Sequence, residues 1–164
     1  MKSVLKKIAL AIAAILAIAG LLAAIEFFGG QPMGLFAGTR PGNLGFANGK
    51  FATPSWKPNC VSSTVEKSDK HYIEPIAFTG DAIAAWTKLA GLVKSQARIS
   101  VVNEKPGYLY VEAKSAGMGF VDDVEFALDE KASVIHVRSA SRLGVRDFDV
   151  NRKRIDGIRA AFGK

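Results

Sequence analysis

Four stretches of alternating apolar and polar residues follow one another at 97–104, 107–115, 119–129 and 133–142. Only Lys105-Pro106-Gly107, Ala116-Gly117-Met118-Gly119 and the residues from Asp129 to Ala132 separate them. Connections this short cannot carry a crossover, so the strands pair as an antiparallel meander. Helical spacing precedes the meander: Ala82, Ile83, Ala85, Trp86, Leu89, Ala90 and Val93 follow Thr79-Gly80-Asp81, which supplies an N-cap. A second helix is predicted at 149–162, where Val150, Ile155, Ile158, Ala161 and Phe162 fall near one face and Asp147 or Asp149 is the cap. Upstream, 71–78 reads as a strand that Pro75 confines to a sheet edge. The order strand, helix, four strands, helix predicts an α+β fold, one antiparallel sheet of about five strands with both helices on one face.

By analogy this β-α-β4-α order is similar to TATA-binding-protein-like domains and to the larger helix-grip domains, which hold a cavity between sheet and C-terminal helix. In the third strand Phe120, Val124, Phe126 and Leu128 share a face with Asp122; in the fourth, Ile135 and Val137 share one with Ser139 and Ser141. Pairing Phe126 with Ile135, Val124 with Val137 and Asp122 with Ser139 keeps both faces consistent. The same register sets Glu125 beside His136 and Asp123 beside Arg138. These polar pairs read as a solvated ladder, each pair contributing about 0–1 kcal/mol. Asp122, Ser139 and Ser141 continue a core face instead, so Asp122 must be hydrogen-bonded or reach a wet cavity. Both a structural role and a ligand site fit that set.

The N-terminus carries a different signal. Positions 8–25 hold 18 residues without a charge, behind Lys2, Lys6 and Lys7. As a helix this run is roughly 27 Å long, close to the hydrocarbon thickness of a bilayer. The positive flank predicts a cytoplasmic N-terminus, a bacterial inner-membrane anchor over 1–28 and a domain on the periplasmic side. Ala17-Ile18-Ala19 offers a signal-peptide cleavage site, but the apolar run continues beyond it to Phe27 and Phe28, which favours an uncleaved anchor. Cys60 is far from any lipobox position. Residues 29–58 contain seven of the 16 glycines and four of the six prolines, too many for a regular helix. They read as a linker, partly docked, before a domain at 59–164. Their glycines lack the Lys-Ser/Thr of a phosphate loop.

Net charge is +7, but residues 29–137 are balanced, with 11 basic and 11 acidic side chains, and +5 falls within 138–164. Arg138, Arg142, Arg146, Arg152, Lys153, Arg154 and Arg159 form that cluster. Guanidinium forks suit phosphate or carboxylate, and Ser139 and Ser141 can add donors. With the domain outside the cytoplasm, nucleic acid is not an expected partner; an anionic lipid, a polyanion or a protein is.

Pro58-Asn59-Cys60-Val61-Ser62-Ser63, Phe120-Val121-Asp122-Asp123-Val124-Glu125-Phe126, Arg138-Ser139-Ala140-Ser141-Arg142-Leu143-Gly144 and Asn151-Arg152-Lys153-Arg154 occur in that order. With Arg40-Pro41-Gly42-Asn43-Leu44-Gly45 as an opening motif, residues 40–162 closely resemble the family called domain of unknown function 1499. The resemblance implies a bacterial or plastid-related setting, often behind a membrane segment, and no established reaction. Many members carry a second cysteine six positions before the one matching Cys60; here Pro54 stands there. A two-thiol redox role is therefore not expected.

Together these readings predict a membrane-anchored extracytoplasmic module that binds an anionic ligand or lipid. Its expected site residues are Asp122, Arg138, Ser139, Ser141, Arg142, Asn151 and Arg152, in a cavity beneath the C-terminal helix rimmed by the three arginines. The alternative is a hydrolase using the Asp122/Ser139/Ser141 set, or Cys60 as nucleophile with His71 as base and Asp69 or Asp122 as orienter. No cofactor or metal is called for, since Cys60, Asp69 and His71 lack an evident fourth protein ligand.

Overall fold

The computed structural model describes residues 2–28 and 36–164, leaving out the side chains at 2, 3, 5, 9 and 22–28. The chain divides into two compact units, Met1–Leu35 and Phe36–Lys164. In the first, α1 spans Lys2–Phe28, and Leu10, Leu16 and Leu21 are exposed on it. Among the described residues, no helix is long and apolar enough to cross a membrane. The expected anchor and the first part of the linker include residues outside that set, Gly29, Gly30 and Gly34 among them.

In the second unit the meander is realised as β3 (Ile99–Lys105), β4 (Tyr108–Lys114), β5 (Val121–Asp129) and β6 (Val134–Ser141), paired antiparallel in sequence order. Two short strands share the free edge of β6. β1 (Cys60–Ser62) pairs with its residues 138–140, and β2 (Ile76–Ala77) with 134–135. The sheet thus has six strands, in the order β1-β6-β5-β4-β3 with β2 beside β1. The strand expected at 71–78 shrinks to the two residues after Pro75, which offers no N–H to the ladder. β1, with three residues, is too short to show an alternation.

Helices α2 (Ala82–Lys94) and α3 (Val150–Phe162) bury Trp86, Leu89, Val93, Ile155 and Ile158 in one cluster with Val111, Val124, Phe126, Ile135 and Val137 of the sheet. Both helices therefore cover the face their alternation predicts. Asp81 caps α2 by accepting from the Ala84 amide at 2.7 Å. Asp149 occupies the cap position of α3 without a side-chain bond; Asp147 accepts the Asn151 amide instead, at 2.9 Å.

The register between β5 and β6 differs by two residues from the expected one. Phe126 faces Val137, Val124 faces Ser139, Asp122 faces Ser141 and Glu125 faces Arg138. A shift of two leaves every side chain on its predicted face, so burial patterns cannot detect it. The hairpin turn decides: Asp129 pairs with Val134, enclosing four residues. Ser133 takes φ 53° there, and Asp129 accepts the Ala132 amide at 3.0 Å. The expected register would leave a two-residue Glu130-Lys131 turn with no glycine or asparagine for positive φ.

The other sheet face is covered as well. Residues 36–58 run over it as a strap. Arg40 bonds Glu112, the Gly45 amide bonds Glu125, and the Ala52 carbonyl accepts from Arg138. Phe46 stacks on His136 with ring centroids 5.7 Å apart and meets Phe51 edge-on at 4.9 Å. The expected solvated ladder is thereby corrected: Glu125 is 0% exposed and Asp123 1%.

Candidate functional site

The expected site residues separate into three groups. Beneath the strap, alternation along β4, β5 and β6 places Tyr108, Tyr110 and Glu112, then Asp123 and Glu125, then Arg138 and Arg142 on one face. Glu125 accepts from the Gly45 amide (2.7 Å), the Tyr108 hydroxyl (2.8 Å) and Arg138 (3.1 Å). Burial pushes its carboxyl above the ordinary range, against the pull of Arg138. Arg142 holds Asp123 through Nε (3.0 Å) and Nη2 (2.6 Å), and Asp123 also accepts the Tyr110 hydroxyl at 2.5 Å. Glu112 is shared between Arg142 at 2.5 Å and Arg40 at 2.8 Å. Burial alone would raise the Glu112 carboxyl, but the two guanidiniums hold it below its usual value. Burial also raises both phenols. Arg138 and Arg142, expected to bind an external anion, are paired with internal carboxylates.

Under α3, Asn151 is 0% exposed and ties four segments together. Its amide donates to the Asn59 carbonyl (3.1 Å), the Ser141 hydroxyl (2.9 Å) and Asp147 (2.8 Å). Its oxygen accepts from Ser139 (2.5 Å) and Arg154 (2.7 Å). Arg154 also bonds Asp122 at 2.6 Å and the Ser139 hydroxyl at 2.9 Å. The Asp122/Ser139/Ser141 set is therefore brought together, but as a lock between sheet and helix. Ser139 donates to the Asn151 amide oxygen and accepts from Arg154. Sequence reasoning left Arg154 out of the site, although its three-residue spacing from Asn151 puts both on one helix face.

Cys60, His71 and Arg152 line a third place, a cleft of about 90 Å³. The Cys60 thiol is directed at the Val61 carbonyl, 3.6 Å away, and burial pushes it up to about 11. Both His71 ring nitrogens meet acceptors, Asp69 at 2.7 Å and the Lys57 carbonyl at 3.0 Å. Both nitrogens are thereby engaged away from the Cys60 thiol. Arg152 bonds the Tyr72 carbonyl at 2.8 Å. Among the described residues, no group of three or more His, Cys, Asp or Glu could hold a metal ion. A thiol-reactive dye at neutral pH is expected to label native Cys60 far more slowly than the denatured chain; equal rates would restore the nucleophile.

A larger opening lies elsewhere. At the end of the sheet where α3 begins, Met118, Phe120, Leu143, Phe148 and Val150 surround a cleft of about 410 Å³, a size suited to a small ligand. Phe148 is 84% exposed, and both it (φ 54°) and Asp149 (φ 64°) sit in the left-handed region. Arg146 is an exposed member of the lining, while the cleft's two carboxylates are occupied, Asp122 by Arg154 and Asp147 by Asn151. Arg138 and Arg142 lie on the strap face, away from α3, so they do not rim a cavity beneath that helix; the cleft of about 410 Å³ opens at the start of α3 with Arg146 in its lining. The available signal was Leu143, Val145 and Phe148, apolar residues in a connection that needs none.

These features define an α+β domain held together by buried polar networks, with one apolar cleft at the end of its sheet. The family model described as protein of unknown function (DUF1499) matches residues 50–162, and the chain belongs to that family. No curated protein and no solved structure matches the chain.

Proposed function

We propose that this protein is a membrane-anchored, extracytoplasmic binding module, and that its ligand is an amphiphile with an anionic head, such as a lipid. The uncharged run at 8–25 behind three lysines supports the anchor and its orientation in a bacterial inner membrane. The cleft carries the binding reading: its apolar walls include Met118, Phe120 and Leu143, and exposed Arg146 is part of the same lining. An acyl chain fits such walls and a carboxylate or phosphate fits the fork.

The test uses the full chain purified in a non-ionic detergent, with palmitate and its neutral alcohol, hexadecanol, as probes. Retention of palmitate over hexadecanol is expected. Arg146→Gln is expected to erase that preference, and Leu143→Trp, which fills the cleft, to abolish retention of both. Retention unchanged by Leu143→Trp would overturn the reading.

A further inference from the structure

Where the chain enters the domain is fixed, and it enters at the cleft. Phe36, the first described residue of this unit, packs its ring on Phe120 with centroids 5.1 Å apart. Gly38, at φ +65°, lies so close to the loop before α3 that a Cβ there would meet the Arg142 Cβ at 2.9 Å and Leu143 Cγ at 3.0 Å. Arg40 then bonds Glu112. Around this entry stands exposed apolar surface: Met118 at 60%, Val145 at 51%, Phe148 at 84% and Val150 at 47%. Large apolar side chains clustered in the open mark an interaction surface.

We infer that this rim docks on the lipid surface of the membrane that holds the chain. The inference rests on the anchored reading above. If residues 8–25 lie in a bilayer, the chain reaches Phe36 within eight residues of Phe28, at most roughly 28 Å of contour. The end of the domain that receives this short connection is the end that exposes phenylalanine, methionine and valine. Such side chains enter the boundary between headgroups and acyl chains, and Arg146 among them can meet a lipid phosphate. The opposite end, where Ala77, Ala84 and Phe162 lie together, faces away from the rim along the sheet. A cleft pressed on a leaflet draws its amphiphile from that leaflet, so the docking surface and the binding site form one device.

The experiment places the full-length chain, in a Cys60→Ala background, in vesicles of phosphatidylethanolamine and phosphatidylglycerol that carry a nitroxide-labelled lipid. Single cysteines for a fluorescent label replace Met118, Phe148 or, as the distant control, Ile83, which is 61% exposed. Flotation reports the anchor separately from quenching. The expected result is flotation with strong nitroxide quenching at 118 and 148 and none at 83. Phe148→Asp, outside the core, is expected to lose the quenching at 118 while Trp86 fluorescence stays native. Flotation with equal quenching at all three positions, or with none at 118 and 148, overturns the docking and leaves the anchor standing. Self-quenching between labelled copies without lipid quenching overturns it in favour of a second copy of the chain. Failure to float overturns the anchored reading and the docking with it.

Discussion

An Arg142→Met chain is expected to lose about 3–5 kcal/mol of folding stability, the range for removing one partner of a buried ion pair. Arg142 touches Asp123 through two nitrogens, and it also reaches Glu112 and the Tyr110 hydroxyl. Without it, Asp123 remains 1% exposed with only the Tyr110 hydroxyl as a side-chain donor. Arg142→Lys is expected to recover less than half of the loss, because an ammonium cannot serve two carboxylates and a phenol with a planar fork. Denaturant unfolding followed by tryptophan fluorescence reads the effect, since Trp86 is buried in α2. A loss of only about 1 kcal/mol or less, as for exposed pairs, would show that the strap does not keep water from this network.

Asn151→Leu is expected to be comparably severe, at about 3 kcal/mol or more. The substitution is close in size, so the effect comes from unmade hydrogen bonds and not from a cavity. Ser139 loses its acceptor in a buried place, and Arg154 and the Asn59 carbonyl each lose one of their partners; a buried polar group left unsatisfied costs about 1–3 kcal/mol. Asn151→Asp retains the oxygen that serves Ser139 and Arg154 but turns a second carboxylate oxygen toward Asp147. It is expected to fall with Asn151→Leu at neutral pH. Limited trypsin digestion gives an independent readout, because Arg152, Lys153 and Arg154 become accessible when the start of α3 loosens. Native resistance in both variants would mean that apolar contacts of Ile155 and Ile158 hold the helix without the lock.

The elements of the sheet and both helices were legible because they repeat a period. Leu109, Val111, Val124, Phe126, Ile135 and Val137 alternate along strands, and Trp86, Leu89 and Val93 follow a helical turn. What lacked a period was lost. The β5–β6 pairing slid by two residues, because period-2 alternation is blind to such a slide, and only Ser133 in its left-handed conformation sets the turn. The types of Arg138 and Arg142 were legible in the sequence, but their burial was not. Arg138 and Arg142 were candidates because charge on a sheet looks available, whereas Asp122 and Ser139 stood out because they continue a core face. Arg138 finds the Ala52 carbonyl 86 residues away, and Arg40 and Gly45 reach Glu112 and Glu125 across 72 and 80 residues, from a stretch whose glycines read as a loose linker. The cleft escaped notice for the opposite reason. Met118 and Phe148 sit in turns, where an apolar side chain carries no pattern, and only the folded chain shows that they gather at one end.

The strap also imposes an order of assembly. Synthesised N-terminus first, residues 40–52 emerge well before the strands they cover, and Glu125 waits for Arg138, thirteen positions later. Closing links of such sequence separation is entropically slow, whereas the hairpins of the meander close locally. The strap is the first part of the domain to be made, and its long-range links are expected to close after the local hairpins. A nascent chain cut short of Arg142 holds Asp123 without the guanidinium that neutralises it, so this network is completed only when the end of the final strand has arrived.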